Sequence, residues 1–489
     1  MKNHPSLFFL IISFLLYFQP LTAQENLLGE IEFPNSGSDS VQSDFIEGVL
    51  FLHNFEYEDA ARSFRRAQER DPDFALAYWG EAMTHNHPIW MQQDQSEAQR
   101  VLEQLGSSVE ERQTNAPTQR EKDYLMTVEL LYGNTLESEG KSKSERDFLY
   151  RDAMENLHET YPDDHEAAAF YGLSILGTAH EGRDYSIYMR AAGELLSIWN
   201  ENQNHPGAAH YLIHSFDDPV HAPLGLPMAR VYSEIAPAAA HAQHMTSHIF
   251  LALGMWEDVV DANIVARDVQ NTRENELNES TTVCGHYPWW LQYGYLQGGE
   301  TDKAEQVLNN CLERMENNPD SGETWHFAIM RAHQAIDTEN WTASETFTYD
   351  YKPATPGARN YYFSLGYESL QSGDLETARH YFEQLTETED EVEKEIQGEQ
   401  LEGLLLIAEG NTDEGLEKIH SSVTAELELP IDFGPPTIVK PSLELLGDVL
   451  MDLGEYEKAI EAYDKQLERT PNRRRTLMGK EQAGKLAFN

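Results

Sequence analysis

A recurring pattern of glycine, alanine, aromatic residues and proline constrains this chain more than any other sequence feature. In residues 45–72 the pattern takes Gly48, Phe51, Ala60, Phe64, Ala67 and Pro72. Near the C-terminus it takes Leu446, Gly447, Gly454, Tyr456, Ala459, Tyr463 and Pro471. Both sets fit one unit of about 34 residues, a period typical of proteins built from stacked helical repeats. Weaker copies lie near residues 299, 366 and 403.

Each unit is predicted to consist of two antiparallel helices. Small residues let the helices approach each other, aromatic side chains fill the space between them, and proline ends the second helix. One unit leaves an apolar face uncovered, so several units must stack. The sequence lacks sustained alternation of polar and β-branched residues, the sign of strands. We therefore predict an all-α fold, an α-solenoid of helix-turn-helix units wound into a right-handed superhelix whose first helices line a concave groove.

Interruptions of the repeat divide the predicted array. Residues 24–341 are predicted to form an N-terminal solenoid and residues 361–489 a C-terminal set of repeats. Residues 342–360, which contain two prolines and a glycine, are predicted to form an irregular connection between them. Residues 474–486 are expected to form a helix that caps the last apolar face, as a solenoid requires.

The first 23 residues have the pattern of a secretory signal peptide. Lys2 precedes an apolar run from Leu7 to Phe18, and the segment ends in Leu21-Thr22-Ala23, with a small residue at the expected cleavage position. The run holds about a dozen residues, too few to cross a bilayer, and no later stretch is both long and apolar enough. We expect cleavage after about Ala23, a periplasmic or secreted mature protein, and no membrane span.

The charge of the chain excludes one class of partner. The sequence has 84 acidic and 35 basic residues, which gives a formal net charge of −49. The acidic residues are spread along the chain, so its surface repels nucleic acids and anionic lipids. Nucleic acid is therefore not expected as a partner.

Two cysteines, Cys284 and Cys311, are present. In the repeat register Cys284 opens a first helix, and Cys311 lies late in the second helix of the same unit. Antiparallel helices bring those two ends together, and an exported protein is free to oxidise the pair. A disulfide and two buried free thiols are both compatible with this spacing.

Histidines are concentrated in the central repeats, where seven of the 19 lie within 44 consecutive residues. His210 and His214 are four residues apart, as are His244 and His248, so each pair shares one face of a helix. The two pairs are separated by 34 residues, one repeat, which places both at the fifth and ninth positions of a first helix. We expect the four imidazoles to converge in the groove, with His286 closing the cluster from a third repeat.

Neutral imidazole is a common ligand of transition metals. The cluster is therefore predicted to bind copper, iron or zinc, with His241, Asp217 and His221 as candidate auxiliary residues. A carboxylate such as Asp217 could orient an imidazole or act as a further ligand. The sequence has no His-Glu-x-x-His motif, which argues against a zinc protease. An open coordination position would activate water or dioxygen, and we expect copper or iron oxidation of a small molecule in preference to hydrolysis.

A second unusual stretch covers residues 79–90. It places His85, Asn86 and His87 at a predicted helix end beside Trp90. The proline and polar residues of this stretch also make an ordinary turn between helices, and that interpretation is favoured. Isolated histidines elsewhere are interpreted as hydrogen-bonded structural residues, among them His53, His158, His326 and His420.

The repeat positions resemble those of the tetratricopeptide repeat family over most of the expected mature chain. More narrowly, residues 205–214 and 241–250 resemble a recurring pair of H-x-x-x-H segments in poorly characterised exported bacterial proteins of that family. The family resemblance implies a helical solenoid and, most often, a peptide or protein partner in the groove. An interaction scaffold with structural histidines is therefore the alternative to a metal-dependent function.

Overall fold

The computed structural model describes residues 27–277, 281–318, 322–389 and 392–487. The predicted signal peptide, residues 1–23, lies outside these ranges. Within them the chain forms 24 α-helices and a single two-stranded antiparallel sheet of two residues per strand. The all-α prediction is confirmed, and the helices form the predicted solenoid.

The N-terminal helices are α1 (Gln42–His53), α2 (Tyr57–Arg70), α3 (Ala75–Met83), α4 (Gln95–Leu105), α5 (Val109–Asn115), α6 (Gln119–Leu131), α7 (Lys143–Thr160), α8 (His165–Leu176) and α9 (Tyr185–Glu201). The central helices are α10 (Pro206–Phe216), α11 (Ala222–Ile235), α12 (Ala240–Ala252), α13 (Trp256–Leu277), α14 (His286–Gly298) and α15 (Thr301–Asn317). The C-terminal helices are α16 (Thr324–Thr338), α17 (Ala343–Thr346), α18 (Ala358–Gln371), α19 (Leu375–Thr386), α20 (Val392–Ala408), α21 (Thr412–Glu428), α22 (Ser442–Asp452), α23 (Tyr456–Arg469) and α24 (Arg474–Ala487).

Successive helices pack in pairs, such as α10 with α11, α12 with α13 and α22 with α23. First helices of neighbouring units also pack side by side, α10 on α12 and α14 on α16. The final helix, α24, packs on α22 and α23 at the position of the predicted cap. The sheet joins β1 (Asn86–His87) to β2 (Gln92–Gln93) around a 3-10 turn at Pro88–Trp90, where the sequence predicted only a turn.

The glycines of the repeat pattern let an aromatic ring enter between neighbouring helices. The Phe64 ring lies between Gly48 and Gly80: a Cβ added to Gly48 would come within 2.7 Å of the ring, and one added to Gly80 within 2.4 Å. In the last unit Tyr463 occupies the same place between Gly447 and Gly479, with distances of 2.4 and 2.6 Å. All four distances are below van der Waals contact, so a larger residue at any of these positions would overlap the ring.

The buried apolar residues form two clusters that meet within α13. The first cluster runs from Leu28 to Val259, and the second from Val260 to Ala483. The sequence predicted the division at residues 342–360, where the structure has only the short helix α17 and an irregular segment. Packing therefore continues past that irregular segment, because α16 contacts α18 directly.

The N-terminal segment folds back onto the central repeats. The Leu27 carbonyl accepts a hydrogen bond from the Ala238 amide at 3.0 Å, and the Glu30 amide donates to the Asn204 carbonyl at 2.9 Å. Helix α1 packs on α10 as well as on α2 and α3. The N-terminal segment is thus joined by main-chain hydrogen bonds to residues 174 and 211 positions later in the chain.

The C-terminal segment folds back onto the same central repeats. The indole of Trp256 donates to the carbonyl of Asn472 at 3.0 Å. Arg473, which is fully buried, donates to Asp337 at 2.7 Å and to Glu444 at 2.8 Å. A buried guanidinium needs such partners, because an uncompensated charge in the interior is strongly destabilising. These bonds join the start of α24 to α13, α16 and α22.

The face that the sequence predicted to line a concave groove is buried. All residues of α10 are buried, and so are all but one of the residues of α12. A free-standing solenoid would expose the inner face of its first helices. Here that face is covered, and this burial governs the chemistry of the histidines on it.

The two cysteines form a disulfide, Cys284–Cys311, with their Cα atoms 4.5 Å apart. The bond joins the start of α14 to α15, the second helix of the same unit, as the repeat register placed them. Of the two interpretations left open by the sequence, the structure has the bonded pair. In the described part of the chain, the helices are either too short or too polar to cross a membrane.

Replacement of Gly80 by alanine should destabilise the first unit. The added methyl group would overlap the Phe64 ring, and overpacking of this kind typically lowers the free energy of unfolding by about 1–3 kcal/mol. The matched control is Gly193→Ala in α9, where the added carbon meets no atom within 4 Å and should stabilise the helix by about 0.5–1 kcal/mol. Urea denaturation followed by circular dichroism measures both. Equal effects of the two substitutions would contradict the packing described here.

Candidate metal centre

Two consecutive first helices present the paired histidines. In α10 the pair His210 and His214 occupies the fifth and ninth residues, and in α12 the pair His244 and His248 does the same. Helix α10 begins with Pro206, whose fixed φ suits the first helical position. The helix is capped by His205, whose Nδ1 accepts from the Ala208 amide at 3.1 Å. The repeat spacing therefore predicted the placement of both pairs.

The structure divides the predicted cluster into two groups of three histidines. Group one comprises His210, His214 and His241; group two comprises His244, His248 and His286. Within each group one ring nitrogen from every histidine lies within 4.8 Å of the others. The sequence predicted one point of convergence with His241 as an auxiliary, whereas in the structure His241 is a full member of group one. The groups adjoin, with the rings of His214 and His248 centred 5.8 Å apart.

Group one contains three imidazole nitrogens that lack a hydrogen-bond partner. The Nε2 atoms of His210, His214 and His241 are buried and, within the described ranges, contact neither a donor nor an acceptor. The Nδ1 of His210 donates to the His53 carbonyl at 2.7 Å, because a carbonyl can only accept. The Nε2 of His210 therefore carries a lone pair.

In group two the lone pairs face one another. Asn263 donates from its Nδ2 to the Val259 carbonyl, which leaves its Oδ1 facing His244. His244 Nδ1 therefore donates to Asn263 Oδ1, at 2.8 Å. His248 Nδ1 donates to the carboxylate of Asp217 at 3.0 Å. Both Nε2 atoms are therefore unprotonated in the neutral rings, yet they lie 3.2 Å apart. The Nε2 of His286, the exposed member, is 2.9 Å from that of His244.

Burial keeps these imidazoles neutral. It lowers the pKa of His210 to about 3 and that of His244 to about 4. Burial also lowers the pKa of His214, His241 and His248 well below the ordinary value, and neighbouring imidazoles lower each further. A proton is therefore not available at neutral pH to bridge the facing nitrogens. A bound cation would relieve the repulsion between them.

Asp217 lies between the two groups at the end of α10. Its carboxylate accepts from His248 of group two and lies 3.8 Å from the Nδ1 of His214 in group one. Arg183, which is buried, pairs with Asp217 and holds it in place. In this arrangement Asp217 orients the His248 imidazole through its Nδ1 atom. The other predicted auxiliary, His221, lies farther out, hydrogen-bonded to Asp218 at 2.9 Å.

Two segments distant in sequence cover the histidine groups. The 3-10 turn at residues 88–90 brings Trp90 over His241, with ring centres 6.0 Å apart. The connection between α21 and α22 brings Phe433 parallel to His248, with ring centres 6.3 Å apart. The stretch at residues 79–90, interpreted from sequence as an ordinary turn, thus contacts the centre through its tryptophan. Nearby His87 instead stacks on Tyr57.

A third buried group, which the sequence did not predict, comprises His53, Glu166 and His205. The carboxylate of Glu166 accepts from both histidines, at 2.6 and 3.2 Å. Burial alone would raise the pKa of Glu166, but the two imidazoles lower it well below the usual range. All four ring nitrogens have partners inside the protein. The group therefore supports the centre, since its His53 carbonyl accepts from His210, and His53 is hydrogen-bonded as predicted.

The tetratricopeptide repeat family model matches residues 360–391 and 441–473. The second match contains the Gly447 and Tyr463 packing described above. No curated protein matches the chain.

Several solved structures are similar over most of their length. Yeast Tom70 is 11% identical, with 93% of this chain and 96% of that chain covered and a TM-score of 0.36. A Rap protein complexed with competence and sporulation factor is 14% identical, with coverage of 92% and 100% and a TM-score of 0.36. The human IFIT1 dimer with PPP-AAAA is 13% identical, with coverage of 95% and 99% and a TM-score of 0.37.

Likenesses this distant carry no functional conclusion. The paired helices, the glycine and aromatic packing and the two matched units together establish the architecture, an α-solenoid that contains tetratricopeptide repeats.

Proposed function

We propose that the six histidines bind two transition-metal ions, one in each group. The observation that carries the proposal is the pair His244 and His248, whose unprotonated Nε2 atoms face each other at 3.2 Å in a buried site. An ion with metal–nitrogen bonds of about 2.0–2.1 Å in tetrahedral geometry separates its ligand nitrogens by about 3.3–3.4 Å. The spacing in group two is close to that value. A metal-free protein would have to keep two lone pairs in repulsive contact.

The surroundings of both groups fit metal ligands. A histidine ligand normally donates a hydrogen bond from its second ring N–H to a carbonyl or carboxylate oxygen or to water, which fixes the tautomer. The structure supplies three such oxygen atoms: the His53 carbonyl for His210, Asn263 for His244 and Asp217 for His248. A ligand set made only of imidazole suits copper, zinc, iron or nickel. Three protein ligands leave a coordination position open, as in catalytic sites.

We propose oxidative chemistry with copper or iron for this centre. An ion held by the three histidines of either group would supply an open position for dioxygen or water. The residues of the chain would supply the neutral ligands, the Nδ1 hydrogen bonds that orient them and the burial that excludes bulk water. An all-imidazole ligand set suits copper or iron, whereas magnesium, calcium and manganese prefer carboxylate, carbonyl or water ligands. The scaffold function remains the coarser description of the protein.

We also propose that the protein is exported and acquires its ions outside the cytoplasm. The leader at residues 1–23 supports this proposal, and so does the Cys284–Cys311 disulfide, since disulfides persist mainly in oxidising compartments. A peptide partner at the histidines is less favoured, because Trp90 and Phe433 cover the groove at that point. The competing scaffold hypothesis therefore needs a different docking surface.

Elemental analysis of the mature protein, after reconstitution with copper, zinc or iron, should find about two ions per chain. The double variants His210→Ala/His214→Ala and His244→Ala/His248→Ala should each retain about one ion, because each removes a single group. His286→Ala, at an exposed position, should weaken one of the two sites without affecting folding. The control is His420→Ala, an exposed residue of α21, which should keep both ions. A wild-type protein that binds none of the three metals would refute the proposal.

Replacement of Asp217 by asparagine should weaken metal binding by roughly 10- to 100-fold, the usual effect of losing a ligand-orienting carboxylate. The matched control is Asp218→Asn, which removes an equally buried charge beside Arg183 but contacts no histidine of either group. Competition with a chromophoric chelator measures both affinities, under conditions in which circular dichroism shows the variants to be folded. Equal losses in the two variants would show that Asp217 acts only through general stability.

A further inference from the structure

A cavity of about 130 Å³ lies where the two histidine groups meet. His214 and His241 line it from group one, and His248 and His286 from group two. The opposite walls are aromatic and aliphatic, formed by residues Ile89, Trp90, Met245, Trp289, Trp290 and Phe433. The cavity is thus the place from which a small molecule could reach both groups at once.

The size and walls of the cavity select a single aromatic ring. An engineered protein cavity of about 150 Å³ accommodates benzene, so a volume of this order holds one six-membered ring and little more. Aromatic walls favour an aromatic guest, because rings pair by stacking or edge-to-face contact. Trp290 already packs edge-to-face on His244, with ring centres 4.7 Å apart. The one carboxylate in the lining, Asp432, accepts from the Thr437 amide and hydroxyl.

Two of the residues that line the cavity carry hydrogen-bond donors without a partner. The indole nitrogens of Trp289 and Trp290 are buried and, within the part of the chain that the structure describes, have no acceptor. Leaving a buried donor unpaired is costly, so such groups usually have a partner that is a ligand or a water molecule. An oxygen atom on the guest would satisfy them.

The cavity opens to solvent beside two aromatic residues. Trp90 is 40% exposed and Phe433 is 41% exposed, although both face the histidines on their inner side. They belong to segments more than 300 residues apart in the chain, the turn at residues 88–90 and the connection before α22. Exposed aromatic side chains at the rim of a pocket are typical of ligand entry sites.

We propose that this cavity binds a single-ring phenol, with the ring between the aromatic walls and the oxygen directed to the indole donors and the histidine groups. The inference rests on the proposed function only for the phenol oxygen, which would then lie beside the two ions. Binding of the ring itself depends only on the cavity. The two proposals can therefore be tested separately in one experiment.

The test is a titration of 4-fluorophenol, followed by fluorine NMR, into the full mature protein in its metal-free and zinc-loaded forms. Wild-type protein should bind one equivalent saturably. Phe433→Ala and Trp90→Ala should weaken binding roughly tenfold each by removing an aromatic wall. The matched control is Phe148→Ala in α7, which removes an equally exposed ring, 42% accessible, that does not line the cavity. The two-ring probe 2-naphthol should bind at least tenfold more weakly than 4-fluorophenol, since the cavity holds one ring.

Saturable binding that is lost in the two rim variants and kept in Phe148→Ala supports the phenol site, whether or not the protein takes up metal. A protein that binds no metal but retains this pattern would refute the metal centre alone. Absence of saturable binding to a zinc-loaded protein, or equal binding by Phe433→Ala and Phe148→Ala, overturns the phenol site and leaves the metal centre in place.

Discussion

Hydrogen bonds to the Nδ1 atoms of buried imidazoles determine what the centre of this molecule can do. Three oxygen atoms each accept one such bond: the main-chain carbonyl of His53 in α1, the side-chain amide oxygen of Asn263 in α13 and the carboxylate of Asp217 at the end of α10. Each bond places the ring proton on the outside of the cluster and leaves the inner nitrogen with a lone pair. Burial then prevents protonation of these nitrogens at neutral pH. The cluster is therefore a preorganised set of neutral donors, which is the form that binds transition metals.

This arrangement depends on the way in which the repeat array closes. An open solenoid would leave the histidines of α10 and α12 in contact with water, where their ordinary pKa would allow protonation. Instead, α1 packs on α10 and supplies the acceptor for His210, while Glu56, just beyond α1, accepts from the His241 amide at 3.0 Å. The first unit is therefore structurally part of the centre, although it contributes no member of either histidine group.

The sequence predicted the elements of the centre better than their grouping. The offset of one repeat placed His210 and His244 at equivalent positions, and a helical repeat determines such positions locally. The division into two groups depends on His241 and His286, which lie at the starts of the following first helices and approach only once the helices are packed. Phe433 and the His53 carbonyl come from segments whose approach is set by closure of the array. No local pattern encodes contacts of that range, so sequence reasoning could not find them.

Closure also changes how such a chain must fold. Repeat arrays normally gain stability from neighbouring units alone, so they can begin to fold anywhere and can fray from their ends. In this protein the ends are tied to the middle: His53 bonds to a residue 157 positions later, and Trp256 to one 216 positions later. Contacts of such separation form slowly, because long loops must close first. The histidine groups therefore reach their final geometry only after nearly the whole chain is present, and the termini unfold together with the core.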